Sequence, residues 1–487
     1  MKDNLFTFHK TVHGYRHMQE ENPCQDSSVS YVDDGYHIIS IADGHGDPAC
    51  RRSDRGSRFA VDIAKKCLED FAAVIISGDM PFEQPRQRSE CMQQLTNTLI
   101  SKWYGAVRND LLNNEVTEDD LKEANRYEDA YKKGEYLEHL YGTTIIAALF
   151  VKNYLILIQQ GDGRCDVFYA DGSVDQPIPW DERCQGSTTT SMCDRDVFSR
   201  IRTKVINLDE KEVVACFIGS DGVEDSYYEN EQTQLGTHRF YMDLMCKIHE
   251  YGIEKFDLYL DKMLPAFSKC GSMDDVSVAG IVDLEKTANL IDNYQLSVTK
   301  YDYSQSVRVA LEEAKSKVIS MSRKHGILAE RIVVLEKDIE GAKFKRCSVL
   351  DKLDNLRIAR EEQVVKVKQA KNDLDEYRKD SQRATSELEG KYSSLTIAIQ
   401  HFIEDISNGG SIKEITYRKL LEQLLTYDQS ISEEEKKEKI LSERITELEG
   451  KLIDTKSEFD EYDKQFQNFK NEVEGYENEI ANMDGEG

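Results

Sequence analysis

Leu441, Ile445, Leu448 and Leu452 open a run of apolar positions at alternating four- and three-residue steps that continues to Met483. Such a run of about six heptads gives a helix one narrow apolar seam, which has to be buried against another helix. An earlier run begins at Val307, Leu311, Ala314, Val318 and Met321. It weakens over 360–384 and recovers from Leu388 to Ile406. Asn408-Gly409-Gly410 reads as the end of that helix. Ser411 with Glu414, and Ser432 with Glu435, read as capping boxes that start two more. The spacing therefore predicts a long helix, a short one over 411–428 and a second long one, with breaks near 408–411 and 428–432. The seam can close by folding back as an intrachain coiled-coil hairpin or by forming a homodimer, and spacing alone leaves both open.

The chain changes character before that region. All seven prolines, both tryptophans and ten of the eleven cysteines precede Leu284. This predicts a mixed domain over 1–284, a linker over 285–303 and a helical coiled-coil region over 304–487. The formal net charge is −28. Residues 285–487 carry 33 basic and 42 acidic side chains out of totals of 63 and 91, so the first 284 hold 30 and 49. Such a surface repels phosphate backbones and anionic lipid, so neither nucleic acid nor membrane is an expected partner. The N-terminus has no secretory pattern, and the cysteines have no C-x-x-C spacing. Both point to reduced thiols in a cytoplasmic setting.

Within 1–284, His37–Ala42, Thr143–Val151, Tyr154–Gln160, Val213–Gly219 and Val276–Val282 read as strands, with Lys152-Asn153 as a hairpin turn. Ala60, Ile63, Ala64, Cys67, Phe71 and Ile75 form one helical stripe. Leu95, Leu99, Trp103, Val107 and Leu111 form another. Strands and helices do not alternate regularly, so the fold class is α+β, with helices packed on sheets.

Four acidic stations stand out: "PCQDSS", "ISIADGHGD", "FIGSDGVEDS" and "GSMDDVSVAGIV". At two of them an apolar strand delivers an aspartate followed by glycine. The strand fixes the carboxylate, and the glycine lets backbone or a bound ligand come close. Carboxylates in such a set suit hard ions such as magnesium and manganese. Taken in order, "GYRHMQEENPCQD", "ADGHGD", "YGTTIIAAL", "QQGDGRCDVFYADG", "SDGVEDS" and "MDDVSVAGI" make residues 10–284 resemble the metal-dependent serine/threonine phosphatases of the protein phosphatase 2C type, in their bacterial branch.

That resemblance implies an antiparallel β-sandwich flanked by helices and a two-metal site loaded with Mn2+ or Mg2+. Asp43 and the Gly44 carbonyl would be shared with metal, and Asp221 and Asp274 would hold the first ion. Asp26 would anchor metal-bound waters, and His45 would protonate the leaving oxygen. Gln25, Asp162 and Asp275 would stand behind these ligands. Paired dications lower the pKa of a water and draw charge from phosphoryl oxygens. The implied partners are a phosphoprotein substrate and an opposing serine/threonine kinase. The alternative is a phosphatase-like scaffold, weak or inactive in catalysis, acting through its coiled coil.

Three departures qualify the resemblance. Gln25 replaces the glutamate found in many relatives, which predicts weaker binding of the second ion. Leu140 and Tyr141 stand near where the family places an aspartate for a third ion, with His139 and Glu138 further back, so no third ion of that kind is expected. Glu21 occupies the position of a phosphate-gripping arginine, leaving Arg16 or His17 as candidate phosphate-binding residues. The four-residue spacing of His9, His13 and His17 is not taken as a zinc site, because Gly14 and the β-prone Thr-Val break a helix there. Residues 183–202 read as a flap near the site.

Overall fold

A strand that is apolar at every position needs cover on both faces, and the architecture of the computed structural model supplies it. The structure describes residues 4–79, 82–122, 124–185, 188–227, 233–391 and 411–485. Its strands are β1 (Leu5–Val12), β2 (Ser27–Asp33), β3 (Tyr36–Ala42), β4 (Ile145–Val151), β5 (Tyr154–Gln160), β6 (Arg164–Tyr169), β7 (Val174–Asp175), β8 (Arg202–Asn207), β9 (Val213–Gly219) and β10 (Val276–Asp283). They form two five-stranded sheets, ordered β1-β10-β9-β6-β7 and β2-β3-β4-β5-β8. Every pairing is antiparallel.

Alternate residues of each central strand face different layers. Ile39 and Ile41 of β3 meet Cys216 and Ile218 of β9 and Ala279 and Ile281 of β10 in a core between the sheets. Ile38 and Ala42 face the other way, onto helices α1 (Ser53–Ser77) and α2 (Pro85–Asn113). Phe217 and Val278 likewise face helices α3 (Thr233–Tyr251) and α4 (Ile253–Cys270). The result is a helix–sheet–sheet–helix stack. It explains why these strands read as continuous apolar runs rather than as half-polar ones. The α+β sandwich expected above is the observed fold.

The chain divides into two compact units, Met1–Gln305 and Ser306–Gly487. Residues 285–303, expected as a linker, are largely helical. Asp283 caps a short helix by accepting from the backbone N–H groups of Glu285 and Lys286 at 3.1 Å. Helix α5 (Ile291–Lys391) then begins at once, with Tyr294 buried in the core beside α3.

In the second unit α5 pairs with α6 (Ser411–Gly485). Ion pairs Lys315–Glu477 (3.2 Å), Lys343–Glu449 (2.7 Å) and Arg357–Glu435 (3.0 Å) fix an antiparallel register within the chain. Met321, Leu328, Ile339 and Leu353 of α5, and Ile445, Leu448 and Phe466 of α6, are buried. The expected break near 428–432 is absent, since α6 is continuous. Within it the Thr426 and Ser430 hydroxyls donate to carbonyls four residues back, at 3.0 and 2.9 Å. Glu435, the expected capping partner, pairs with Arg357. The stop at 408–410 and the heptads over 392–406 lie outside the described residues.

Candidate active site

The ends of β3 and β9 deliver Asp43 and Asp221 from different sheets. Both residues are half-buried, and each carboxylate perturbs the ionisation of the other. Burial is the main cause of a raised pKa in both. Asp43 is lifted well above the carboxylate range, with the charges of Asp221 and Asp26 adding to the effect. Asp221 is pushed up to about 7, with Asp162, Asp225 and Asp274 adding repulsion. Asp26 is likewise raised, by burial first and then by Asp275 and Asp221; the Ser277 and Ser220 hydroxyls partly offset this. Its Oδ2 is buried without a hydrogen-bond partner. Asp162 is raised by burial too, against a hydrogen bond from Thr189. Crowded, half-buried carboxylates beside the buried, unsatisfied Asp26 oxygen are unstable alone and complementary to a divalent cation. The donor set therefore fits Mg2+ or Mn2+.

Asp43 is held from both sides by a segment whose role the sequence did not reveal. Its backbone N–H donates to Thr144 Oγ1 at 2.9 Å, and its carbonyl accepts from the Thr143 hydroxyl and the Thr144 N–H, each at 2.8 Å. Gly44 has no room for a side chain, since a Cβ would lie 2.6 Å from the Gln25 carbonyl oxygen. The Thr143–Thr144 segment is placed in turn by Arg52, which is buried and uses all its donors. Arg52 Nε and Nη2 reach Asp120 at 3.1 and 2.6 Å. Its other N–H groups reach the Asn114 and Glu115 carbonyls and the Tyr141 hydroxyl, each at 2.8 Å.

Asp274 and Asp275 precede β10 and part company. Asp275 is buried, and accepts from the Gly14 N–H at 2.6 Å and the Gln25 N–H at 2.7 Å. Burial raises its pKa, but His17 and these two N–H groups outweigh that and leave it lowered. Asp275 thus ties the first station to the fourth. Asp274 is half-exposed, and Arg16 Nη2 donates to it at 2.6 Å. His17 Nδ1 lies 3.1 Å from Asp275 and Nε2 lies 3.4 Å from Asp274. Nδ1 makes no hydrogen bond of good geometry, and the pair is ionic when the imidazole is protonated. The His17 pKa is raised, chiefly by Asp275.

Among the described residues, His17, Asp274 and Asp275 are the one group of three whose ligand atoms lie mutually within 4.8 Å; Asp43, Asp221 and Asp274 do not close to that spacing. Asp275 already accepts two backbone N–H groups and Asp274 already holds Arg16, so we read this trio as an ion-pair cluster. Arg16 and His17, the candidate phosphate-binding residues, face these carboxylates. Gln25 is also occupied, with Nε2 donating to Ser53 Oγ at 2.8 Å and to the His45 carbonyl at 3.2 Å.

His45 follows Asp43 and Gly44, and its N–H donates to the Gly142 carbonyl at 3.1 Å. Burial, then the neighbouring His139, pushes its pKa down to about 4. The ring is therefore neutral at pH 7 in this state. His139, near the expected third-ion position, bonds the Tyr131 hydroxyl at 2.7 Å and stacks on Tyr127.

Solved structures resemble the chain over part of its length. A bacterial serine phosphatase shares 16% identity, covering 57% of this chain and 98% of its own, with a TM-score of 0.34. The serine/threonine phosphatase Stp1 from Staphylococcus aureus shares 16%, covering 57% and 94%, with a TM-score of 0.35. RsbX in complex with magnesium shares 12%, covering 58% and 97%, with a TM-score of 0.30. No curated protein matches the chain. The sequence profile of the Protein phosphatase 2C family matches residues 13–264, a little over half of the 487, and the chain belongs to that family.

Proposed function

We propose that the first unit is a divalent-metal-dependent protein serine/threonine phosphatase that hydrolyses phosphomonoesters. The observation that carries this reading is the meeting of Asp43 and Asp221 at the ends of strands from opposite sheets, both with raised pKa. Mn2+ or Mg2+ bound there would supply Lewis-acid activation of water and of the phosphoryl oxygens. Asp43, the Gly44 carbonyl and Asp221 would hold the ions, joined by Asp274 once it exchanges Arg16 for metal, with Asp26 orienting water beside them. Thr143 and Thr144 keep the Asp43 backbone fixed, which preorganises the carboxylate. Asp162 and Asp275 support the set from behind, and Gln25 braces the His45 loop. His45 would give its proton to the departing serine or threonine oxygen. An arriving phosphate dianion raises the imidazole pKa, which loads the ring for that step.

The natural substrate of such a site is a phosphoprotein, made by a serine/threonine kinase in the same compartment, which we take to be the cytoplasm. The helical pair would serve partner binding. A second reading, a phosphatase-like scaffold with little turnover, draws on the neutral His45 and on the committed Gln25. Manganese-dependent hydrolysis of a phosphoserine peptide, with Asp43→Asn as control, decides between them. Turnover abolished by the substitution supports the enzyme; no turnover in either protein supports the scaffold.

A further inference from the structure

Helix α5 carries a second apolar face. Val333 and Val334 are 64% and 57% exposed, Ile327 is 58% exposed and Phe344 is 77% exposed. At 3.5 residues per turn Ile327, Val333 and Val334 lie on the side opposite the Leu328 and Ile339 side that packs on α6, and Phe344 stands at its edge, over a groove shared with Ile440 and Leu441 of α6. Gly326 and Gly341 lie on the same outer side, and a Cβ on either would meet nothing within 4 Å. A glycine inside a helix costs about 1 kcal/mol relative to alanine. Nothing within the chain needs the missing side chain at either position, so something outside it is the candidate for close approach.

We propose that this face pairs with the same face of a second copy of the chain, antiparallel, about a two-fold axis passing between Val333 and Val334. In that register Val333 faces Val334 of the second copy, and Gly326 faces Gly341, letting the backbones approach. Glu330 faces Lys337, an ion pair made twice by symmetry, and Arg323 faces the ring of Phe344. Val309 and Ile358, 52% and 58% exposed, meet at the ends. Charge selects this arrangement over its neighbours. A slip of one heptad one way sets Glu330 against Glu330 and Arg323 against Lys337; the other way sets Lys337 against Lys337. A parallel pair sets every charge against its own kind.

The inference concerns the helical pair alone and stands or falls separately from the phosphatase reading. Light scattering on the full chain tests it. The expected mass is twice the 55.9 kDa of one chain. Glu330→Lys should weaken the dimer about tenfold or more, and the double substitution Glu330→Lys with Lys337→Glu should restore it. Gly341→Leu should also weaken it, with helical circular dichroism retained in every variant. A monomeric wild type, a dimer indifferent to Glu330→Lys, or a charge swap that fails to restore the dimer would overturn the proposal.

Discussion

Replacing Asp221 with asparagine should stabilise the metal-free protein, because the native carboxylate is half-buried among other carboxylates. Its pKa is about 7 against an ordinary value of 3.8, chiefly from burial. A group whose pKa is raised by folding adds stability that is fully present below its unfolded value and is lost as pH climbs through the folded value. The window here runs from about pH 4 to pH 7. Three pKa units correspond to about 4 kcal/mol. Asparagine mimics the protonated form, so Asp221→Asn should exceed wild type by up to about 4 kcal/mol at pH 8 in a chelator, and by about 2 kcal/mol at pH 5.5. Urea unfolding followed by tryptophan fluorescence reads the correct unit, since Trp103 and Trp180 both lie in Met1–Gln305. Manganese should narrow the gap at pH 8 to about 1 kcal/mol, stabilising wild type by about 2.7 kcal/mol at a hundredfold excess over its dissociation constant and leaving the variant nearly unmoved. A variant no more stable than wild type at pH 8 without metal would refute the crowding argument.

Three further outcomes follow from the same geometry. Arg52→Met strands the buried Asp120 carboxylate and three further acceptors, and should cost about 4 kcal/mol in urea unfolding; a loss below about 1 kcal/mol contradicts the network's positioning role. Gly222→Ala places a Cβ 2.1 Å from the Asp275 carbonyl oxygen, so manganese affinity by calorimetry should fall about tenfold or more; unchanged affinity argues against that strand end shaping the site. His45→Asn should lower kcat about a hundredfold on a phosphoserine peptide but far less on an aryl phosphate, whose phenolate leaves without a proton; equal losses would remove the proton-donor role.

The parts of the fold that were legible in the sequence are those set by local pattern. Apolar runs marked the central strands, and the stripes through Ala60 and Leu95 marked α1 and α2. The Thr143–Thr144 clamp on Asp43 was legible only as a motif, because its function depends on a contact across about a hundred residues that no local rule encodes. Asp275 was expected behind the ligands. Its hold on Gly14 and Gln25 appears only when two stretches some 250 residues apart converge. The Arg52 network left no local trace. The break near 428–432 is absent because Glu435, half of the expected Ser432–Glu435 capping box, pairs instead with Arg357 of the neighbouring helix, a contact that no local rule shows. A change in composition carries no secondary structure, so it did not show that 285–303 is largely helical, started by the Asp283 N-cap.

The central claim is that Asp43 and Asp221 hold divalent metal between them. An anomalous difference map from crystals soaked in manganese tests it most directly. The account predicts a peak within coordination distance of both carboxylates, lost in Asp43→Asn crystals; ions only at the His17–Asp274–Asp275 cluster, with none at Asp43, would contradict it.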